Sequence, residues 1–162
     1  DSQYTYVRAG LDRLTRLPGD FTWMSRYEGQ LASGALLPTD QLGFGGATTV
    51  RGYDELIILG DHGLLMTQEI RTPEMRVAPL LGLKVEDSLQ FLTFWDYGLP
   101  FLSETLPGQN DHFSLSSIGV GLRYEIKRNV SIRADYGWQL VGRETFGNGE
   151  EGRLHLSVLA SF

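Results

Sequence analysis

The segment GLRYEIKRNVSIRADYGW, residues 121–138, alternates apolar and charged side chains with a period of two. On each side of Asn129 two charged residues alternate with apolar ones, namely Arg123 and Glu125, then Arg133 and Asp135. Successive side chains of a β-strand point to opposite faces of its sheet, so the pattern predicts two strands, each with an apolar and a charged face. Asn129 marks the turn of an antiparallel hairpin.

The same alternation recurs along the whole chain, and no stretch has helical periodicity. It predicts seven strands, at residues 3–16, 21–33, 62–72, 88–98, 114–126, 130–142 and 152–162. Turn residues separate them: LPGD at 17–20, Pro73 and Pro79, Pro100 and Pro107, Asn129, and GNGEEG at 147–152. The fold class is therefore all-β with an antiparallel sheet.

Each predicted strand has one uncharged face. That face carries aliphatic and aromatic residues such as Val7, Leu11, Trp23, Tyr27, Ile70, Phe91, Trp95, Val120, Tyr136, Trp138, Leu156 and Val158. The charges in the regular part of the strands share the opposite face: Arg8, Asp12, Arg26, Glu28, Glu69, Arg71, Asp96, Arg123, Glu125, Arg133, Asp135 and Arg153. In all five strands that have two charges, both charges fall on the same face, as the strict period of two requires.

Uncharged faces with aromatic residues toward the strand ends are typical of barrel strands in the bacterial outer membrane, where aromatic girdles lie at both interfaces. An Arg or Lys turned toward the middle of the bilayer costs about 2–4 kcal/mol, which explains why charge is excluded from this face. The paired charges on the other face suit a water-filled lumen. A soluble β-sandwich binding module is the alternative, because it also tolerates one apolar face.

Composition excludes several other functions. The formal charge of −6 leaves no basic patch, so nucleic acid is not expected as a partner. There is no Cys, and His62, His112 and His155 are widely separated, so no metal site is indicated. The Gly-rich stretch at 43–46 lacks a following Gly-Lys-Ser/Thr and is not a phosphate loop. No cofactor and no enzymatic activity are predicted.

Strand number and the chain end point to a partial barrel. Bacterial outer-membrane barrels close with an even number of strands, and an open edge in lipid leaves backbone groups unpaired. Further strands are therefore expected upstream, and residues 1–162 form the C-terminal part of the barrel domain. The final strand, RLHLSVLASF at 153–162, ends on Phe162 and resembles the signal read by the barrel assembly machinery.

A long loop, LPTDQLGFGGATTVRGYDELIILGDHG at 37–63, interrupts the series of strands, and loops of this length are usually functional. Its residues 42–53, with the motif VRGY, resemble the loop of the polypeptide-transporting outer-membrane β-barrel superfamily. The later Phe94-Trp95-Asp96-Tyr97-Gly98 matches that superfamily's FxDxG motif, and Leu37-Pro38 with Asp40-Gln41 is most similar to the two-partner-secretion, haemolysin-activator branch.

The resemblance implies a barrel of about sixteen strands, with upstream POTRA domains that this sequence lacks. Five predicted strands follow Tyr53, as in the superfamily, and the loop is expected to enter the lumen. The implied motif residues of the loop are Gly45, Gly46, Val50, Arg51, Gly52 and Tyr53, and those on the wall are Asp96, Phe94, Gly98 and Glu69.

A guanidinium inside the lumen needs a carboxylate partner, and bidentate geometry favours one that faces inward. Asp96 is the first choice for Arg51, and Glu69 on the neighbouring strand is the second. The glycines of the motif permit a tight backbone at the loop tip. The pair could hold the loop in a defined state during transport or could serve only as a structural brace.

The resemblance implies a transporter that exports a haemolysin- or adhesin-type exoprotein, with the exoprotein, the lipid and the assembly machinery as partners. An assembly or insertase barrel of the same superfamily is the alternative, and a passive porin is a third. In the hairpin around Asn129, electrostatics predicts that Arg123 lies opposite Asp135 and Glu125 opposite Arg133, since like charges directly opposite repel.

Overall fold

A computed structural model describes residues 4–103, 114–127, 129–141 and 151–161. Its strands are β1 (Tyr6–Arg16), β2 (Thr22–Ala32), β3 (Leu42–Phe44), β4 (Ile58–Gly60), β5 (His62–Arg71), β6 (Asp87–Phe101), β7 (Leu115–Ile126), β8 (Val130–Val141) and β9 (Gly152–Ala160). Short 3-10 turns occupy Pro18–Asp20 and Ala78–Leu81. Among the described residues, no helix is long and apolar enough to cross a membrane.

The seven long strands form one antiparallel sheet in the order β1-β2-β5-β6-β7-β8-β9. This confirms the seven predicted strands and their succession. β3 and β4 pair with each other inside the long loop, where strands of three residues are too short to show alternation. β1 and β9 do not pair with each other, so the sheet is an open part of a barrel wall.

The two faces of the sheet differ as the alternation predicts. Its outward face leaves large apolar side chains exposed: Val120 is 48% accessible, Val158 61% and Leu156 66%. A soluble protein rarely leaves such a continuous apolar surface uncovered, whereas lipid covers it in a membrane. The long loop packs on the inner face, where Asp96 and Glu69 are buried. A sandwich with charges turned outward is therefore excluded.

The separation of charge is less complete at one end of the sheet. Arg13 lies opposite Ser25 and shares the outward parity of Val7 and Leu11. It lies near the end of the sheet where a short turn connects β1 to β2. Charge costs about 0–1 kcal/mol near the membrane interface, far less than at the midplane. The prediction that no charged residue falls on the uncharged face is therefore wrong at this edge.

The predicted register of the hairpin is wrong. Arg123 lies opposite Arg133, and Glu125 lies opposite Ser131. Lys127, at the start of the connection between β7 and β8, adopts φ 51°, and the register of a hairpin is set by the geometry of its turn. The repulsion is relieved because Arg123 reaches diagonally to Asp135, with two hydrogen bonds of 2.8 and 2.9 Å. Electrostatics identified the correct ion pair, but the turn determined which residues lie opposite each other.

One predicted turn residue lies within a strand. Pro100 belongs to β6 and lies opposite Gly63 of β5. The described pairing of β6 with β7 ends at Gly98, so Pro100 occupies a part of β6 that pairs along one edge, where a missing N–H is tolerated. Of the other predicted features, Phe162, Pro107 and the stretch at 147–150 fall outside the described residues.

A small apolar core joins the loop to the inner face. It consists of loop residues and two wall residues, all nearly inaccessible to solvent: Leu42, Phe44, Val50, Tyr53, Leu65 and Leu115. Ile57 and Ile58 pack against this cluster. The hydrophobic effect therefore holds the loop against the wall, on the face to which the sequence assigns the lumen.

Candidate functional site

The tip of the loop, residues 45–53, forms a tight turn before it reaches the wall. The amide of Gly46 donates to the Val50 carbonyl at 3.1 Å, and the Thr49 hydroxyl donates to the Gly45 carbonyl at 2.8 Å. Gly45, Gly46 and Gly52 have φ of 95°, 106° and 92°. Residues with a Cβ rarely adopt these φ values, and the structure places all three glycines of the motif in this conformation.

Arg51 extends from this tip to Asp96 on β6. Its Nε donates to Asp96 Oδ2 at 2.7 Å and its Nη2 donates to Oδ1 at 2.9 Å, which is the bidentate geometry expected of the pair. The backbone amide of Arg51 also donates to Asp96 Oδ2, at 3.1 Å. Because one carboxylate binds both side chain and backbone, it fixes the position of the tip as well as the guanidinium.

Glu69 binds the same guanidinium from β5. Arg51 Nη1 donates to Glu69 Oε1 at 2.7 Å, so the first and second candidate partners bind together. Phe94, two residues before Asp96 on the same face, places its ring 3.5 Å from the guanidinium carbon. A guanidinium over an aromatic face is attracted by the ring quadrupole, which gives Phe94 a direct role in the contact.

The ion pair belongs to a larger cluster. Arg71 donates to Glu69 Oε2 at 2.6 Å, Arg123 binds Asp135 in bidentate fashion, and Asp135 Oδ1 lies 3.7 Å from Arg51 Nη1. Three guanidiniums thus face three carboxylates, and the cluster is formally neutral. Arg51, Glu69, Asp96 and Asp135 are each at most 6% accessible. Such a cluster holds a segment in one place but is destabilised when one member is lost.

Gly98 allows the loop to approach β6 closely. A Cβ at this position would lie 2.9 Å from Phe44 Cδ1 and 2.9 Å from Val50 Cγ2, closer than carbon atoms pack. The last glycine of the FxDxG motif therefore leaves room for the apolar part of the loop, next to the carboxylate that binds Arg51.

Tyr53 binds the wall at an irregularity. β7 and β8 change register between Ser116 and Ser117, a β-bulge that leaves backbone groups without ladder partners. The buried Tyr53 hydroxyl donates to the Ser116 carbonyl at 2.8 Å and accepts from the Ser116 amide at 3.2 Å. It also contacts the Val141 carbonyl. The hydroxyl thus satisfies polar groups that the bulge exposes.

The structure brings eight of the ten predicted motif residues together where the loop meets the wall, and Gly45 and Gly46 contact only other residues of the loop. Sequence reasoning missed several neighbours of these residues. Those are Asp135 and the residues that contact the Gly52 backbone from the last two strands: Gly137, Gln139 and His155. The inward parity of Asp135 was available from the sequence. The position of Asp135 relative to the neighbouring strand could not be predicted, because it depends on the register of the hairpin.

Asp61 anchors the base of the loop. This carboxylate, 2% accessible, accepts hydrogen bonds from the Leu36 amide at 2.8 Å, the Gln41 side chain at 2.9 Å and the Ser103 amide at 2.8 Å. Burial alone would raise the pKa of Asp61, but the hydrogen bonds from Ser103, Gln41 and Leu36 outweigh it, so the pKa lies below its ordinary value.

We expect the loop base to loosen in acid. Because the pKa of Asp61 is lower in the folded protein, its contribution to stability is present above the unfolded-state pKa, near 4, and is lost as pH falls through the folded value. Hydrogen exchange of peptides covering 34–42, corrected for intrinsic rates, should show protection that falls below about pH 4. Asp61→Asn should exchange faster at neutral pH and lose this step. An unchanged acid step in Asp61→Asn would assign it to another group.

Within the described residues, no group of three or more His, Cys, Asp or Glu side chains is arranged to hold a metal ion. The cluster consists of paired charges, an aromatic ring and backbone groups. These groups connect the loop to the wall through ion pairs and hydrogen bonds.

The chain matches a known protein family over residues 1–124, which include the loop tip, Glu69 and Asp96. The family is described as haemolysin secretion/activation protein ShlB/FhaC/HecB. A comparison with curated proteins finds no match. The matched part covers more than half of the chain and agrees with the all-β wall and its lipid-facing surface. The chain therefore belongs to the ShlB/FhaC/HecB family of haemolysin secretion/activation proteins, outer-membrane β-barrel transporters of two-partner secretion.

Proposed function

We propose that this protein exports an unfolded, β-rich exoprotein of the haemolysin or adhesin type, and that the docked loop controls the passage. The observation that carries the proposal is Arg51, which is 4% accessible and bound by Asp96 and Glu69 at the loop tip. A loop that had only to cover the barrel would not need a buried ionic cluster, since an apolar contact is often at least as stable. Charged groups can instead separate, because water solvates them once they are apart.

The inner face supports a path for polypeptide beside the docked loop. A polar cleft of about 490 Å³ lies there, lined by loop-tip threonines and by charged wall residues: Arg26, Glu69, Arg71, Arg123, Glu125 and Arg133. An extended polypeptide carries one backbone donor and one acceptor at almost every residue. Alternating charges and hydroxyls can exchange hydrogen bonds with such a chain without retaining it at a single place.

The proposal includes the rest of the barrel. In the described sheet, β1 and β9 each pair along one edge, and an unpaired edge is not tolerated in lipid. We propose that upstream strands close the wall, that POTRA domains precede them, and that Phe162 is read by the barrel assembly machinery during insertion.

Site-specific photo-crosslinking tests the transport path. A photoreactive residue at Gln90, which lines the cleft on β6, should crosslink to a co-expressed exoprotein during its secretion. The matched control is Phe91, the next residue on β6, whose side chain is 44% accessible on the lipid face and should yield no such product. Secretion into the medium without crosslinks from Gln90, or with equal crosslinks from both positions, would contradict a path along this wall.

A further inference from the structure

A second set of contacts holds the loop tip, from strands other than those that carry Asp96 and Glu69. The backbone amide of Gly52 donates to His155 Nε2 on β9 at 3.0 Å, and the Gly52 carbonyl accepts from Gln139 Nε2 on β8 at 2.7 Å. The peptide groups on both sides of the Gly52 Cα are thus bound by side chains of the last two strands. These two strands lie beyond residues 1–124, the part that matches the family.

Between the contacts made by Gln139 and His155, the loop backbone at Gly52 packs directly on the β8 backbone at Gly137. A Cβ at Gly137 on β8 would lie 2.8 Å from the Gly52 nitrogen and 2.8 Å from the Arg51 carbonyl carbon. A Cβ at Gly52 would lie 2.7 Å from the Gly137 oxygen. Both positions must be glycine for the two backbones to come this close. Gly52 is therefore needed both for the turn at the loop tip and for the close packing of the loop on β8.

The contact requires one protonation form of His155. A backbone N–H can only donate, so Nε2 must accept and the ring proton of the neutral form lies on Nδ1. Nδ1 lies 3.9 Å from Glu55 Oε1, a carboxylate of the same loop. The neighbouring Asp54–Arg153 pair also joins the loop to β9, but its side chains are 47% and 35% accessible. Such exposed pairs contribute little to stability, whereas the contact of the Gly52 amide with His155 is part-buried.

We propose that Gly137, Gln139 and His155 form a peptide clasp that sets the fraction of time the loop is docked, with His155 as its positioning residue. The inference rests on the proposed function of the loop. Arg51 ties the tip to β5 and β6 through Glu69 and Asp96, and the clasp adds contacts with β8 and β9. Loss of these contacts destabilises the docked state and so raises the fraction of time that the whole tip is away from the wall.

The test measures docking directly, in the absence of exoprotein. Residues 1–162 contain no Cys, so Val50→Cys places the only thiol of this part of the barrel at a position that is 0% accessible when the loop is docked. Its rate of modification by a maleimide reports the undocked fraction. We use the full chain in outer membranes and confirm insertion by heat-modifiable gel mobility. A neutral hydrogen bond is worth about 0.5–1.5 kcal/mol, so His155→Leu should raise the rate about two- to twelvefold.

Two further variants separate the clasp from general damage. His155→Gln places an amide oxygen that can accept from Gly52, and it should return the rate toward that of the parent. Gly137→Ala keeps every hydrogen-bonding group but intrudes on the loop backbone, and it should also raise the rate. Gly10→Ala is its control, because a Cβ there has its nearest contact at 3.6 Å, the Tyr27 carbonyl oxygen.

If neither His155→Leu nor Gly137→Ala changes the labelling rate, the proposal of a peptide clasp is overturned. If His155→Gln reacts as fast as His155→Leu, the hydrogen bond is not what His155 supplies, and its positioning role is overturned. Should labelling rise as expected while exoprotein secretion stays normal, the clasp stands and the proposed control by the loop fails. The two proposals can therefore fail separately.

Discussion

Cells that carry Arg51→Ala should insert the barrel but release less than about a tenth of the normal amount of exoprotein. Removing one member of a buried ion pair costs about 3–5 kcal/mol, because the remaining charges lose their partner while they stay buried. Asp96, at 0% accessibility, and Glu69, at 4%, would both face this penalty. An energy of that size shifts the ratio of docked to undocked loop by roughly a hundredfold or more. Immunoblots of the culture medium measure the loss.

The control is another Arg→Ala change on the same face of the sheet. Arg26 pairs with Asp12 at 2.8 Å, but their side chains are 50% and 64% accessible. Such a pair contributes about 0–1 kcal/mol, and Arg26 is one of several charges along the cleft, none of which has to hold the substrate alone. Arg26→Ala should therefore leave secretion within about twofold of normal. Arg51→Lys keeps the charge without the bidentate fork and should fall between the two.

Insertion distinguishes transport from bracing in this experiment. If Arg51→Ala fails to show heat-modifiable mobility, the cluster is a brace for the folded wall, and loss of secretion follows from loss of the barrel. If the variant inserts and secretes normally, the loop contact has no role in transport. Insertion without secretion is the outcome that the proposed function requires.

The strands, their order and their faces follow from sequence because the period of two reports side-chain direction at each residue. Arg133 and Asp135 share parity, and this alone places both on the inner face. Parity does not give height along a strand. The register of a hairpin depends on its turn, and here Lys127 has positive φ, an angle that no charge pattern specifies.

The contacts of the candidate site also differ in whether they could be predicted from the sequence. The pairing of Arg51 with Asp96 could be predicted from the sequence. Arg51 lies in the loop motif, Asp96 lies in a strand motif on the inward face, and a buried guanidinium needs a carboxylate. The contacts of Gly52 with Gly137 and His155 could not be predicted, since they join residues 85 and 103 positions apart through backbone atoms. Such contacts leave no hydrophobic or charge pattern, and only the assembled wall brings them together.

Gly98→Leu should abolish docking of the loop by steric exclusion, with every charge of the Arg51 cluster retained. The Cβ of the new side chain would already lie 2.9 Å from Phe44 and from Val50, and the rest of the leucine needs space that the loop core fills. Forcing extra methylenes into a packed core costs about 1–3 kcal/mol even when neighbours can shift. Here the cheaper response is for the loop to leave the wall, so secretion should fall about tenfold while the barrel still inserts.

Gly10→Leu tests whether the effect depends on the loop. Gly10 lies opposite Glu28, Glu28 opposite Leu65, and Leu65 opposite Gly98, so the two glycines occupy one row on the same face of the sheet. A Cβ at Gly10 has its nearest contact at 3.6 Å, and the variant should secrete normally. Adding Phe44→Ala to Gly98→Leu opens the space that the leucine needs and should restore part of the secretion, because changes at residues in contact are not additive. Equal loss in Gly10→Leu, or no recovery in the double variant, would place the defect in the wall and not in the docked loop.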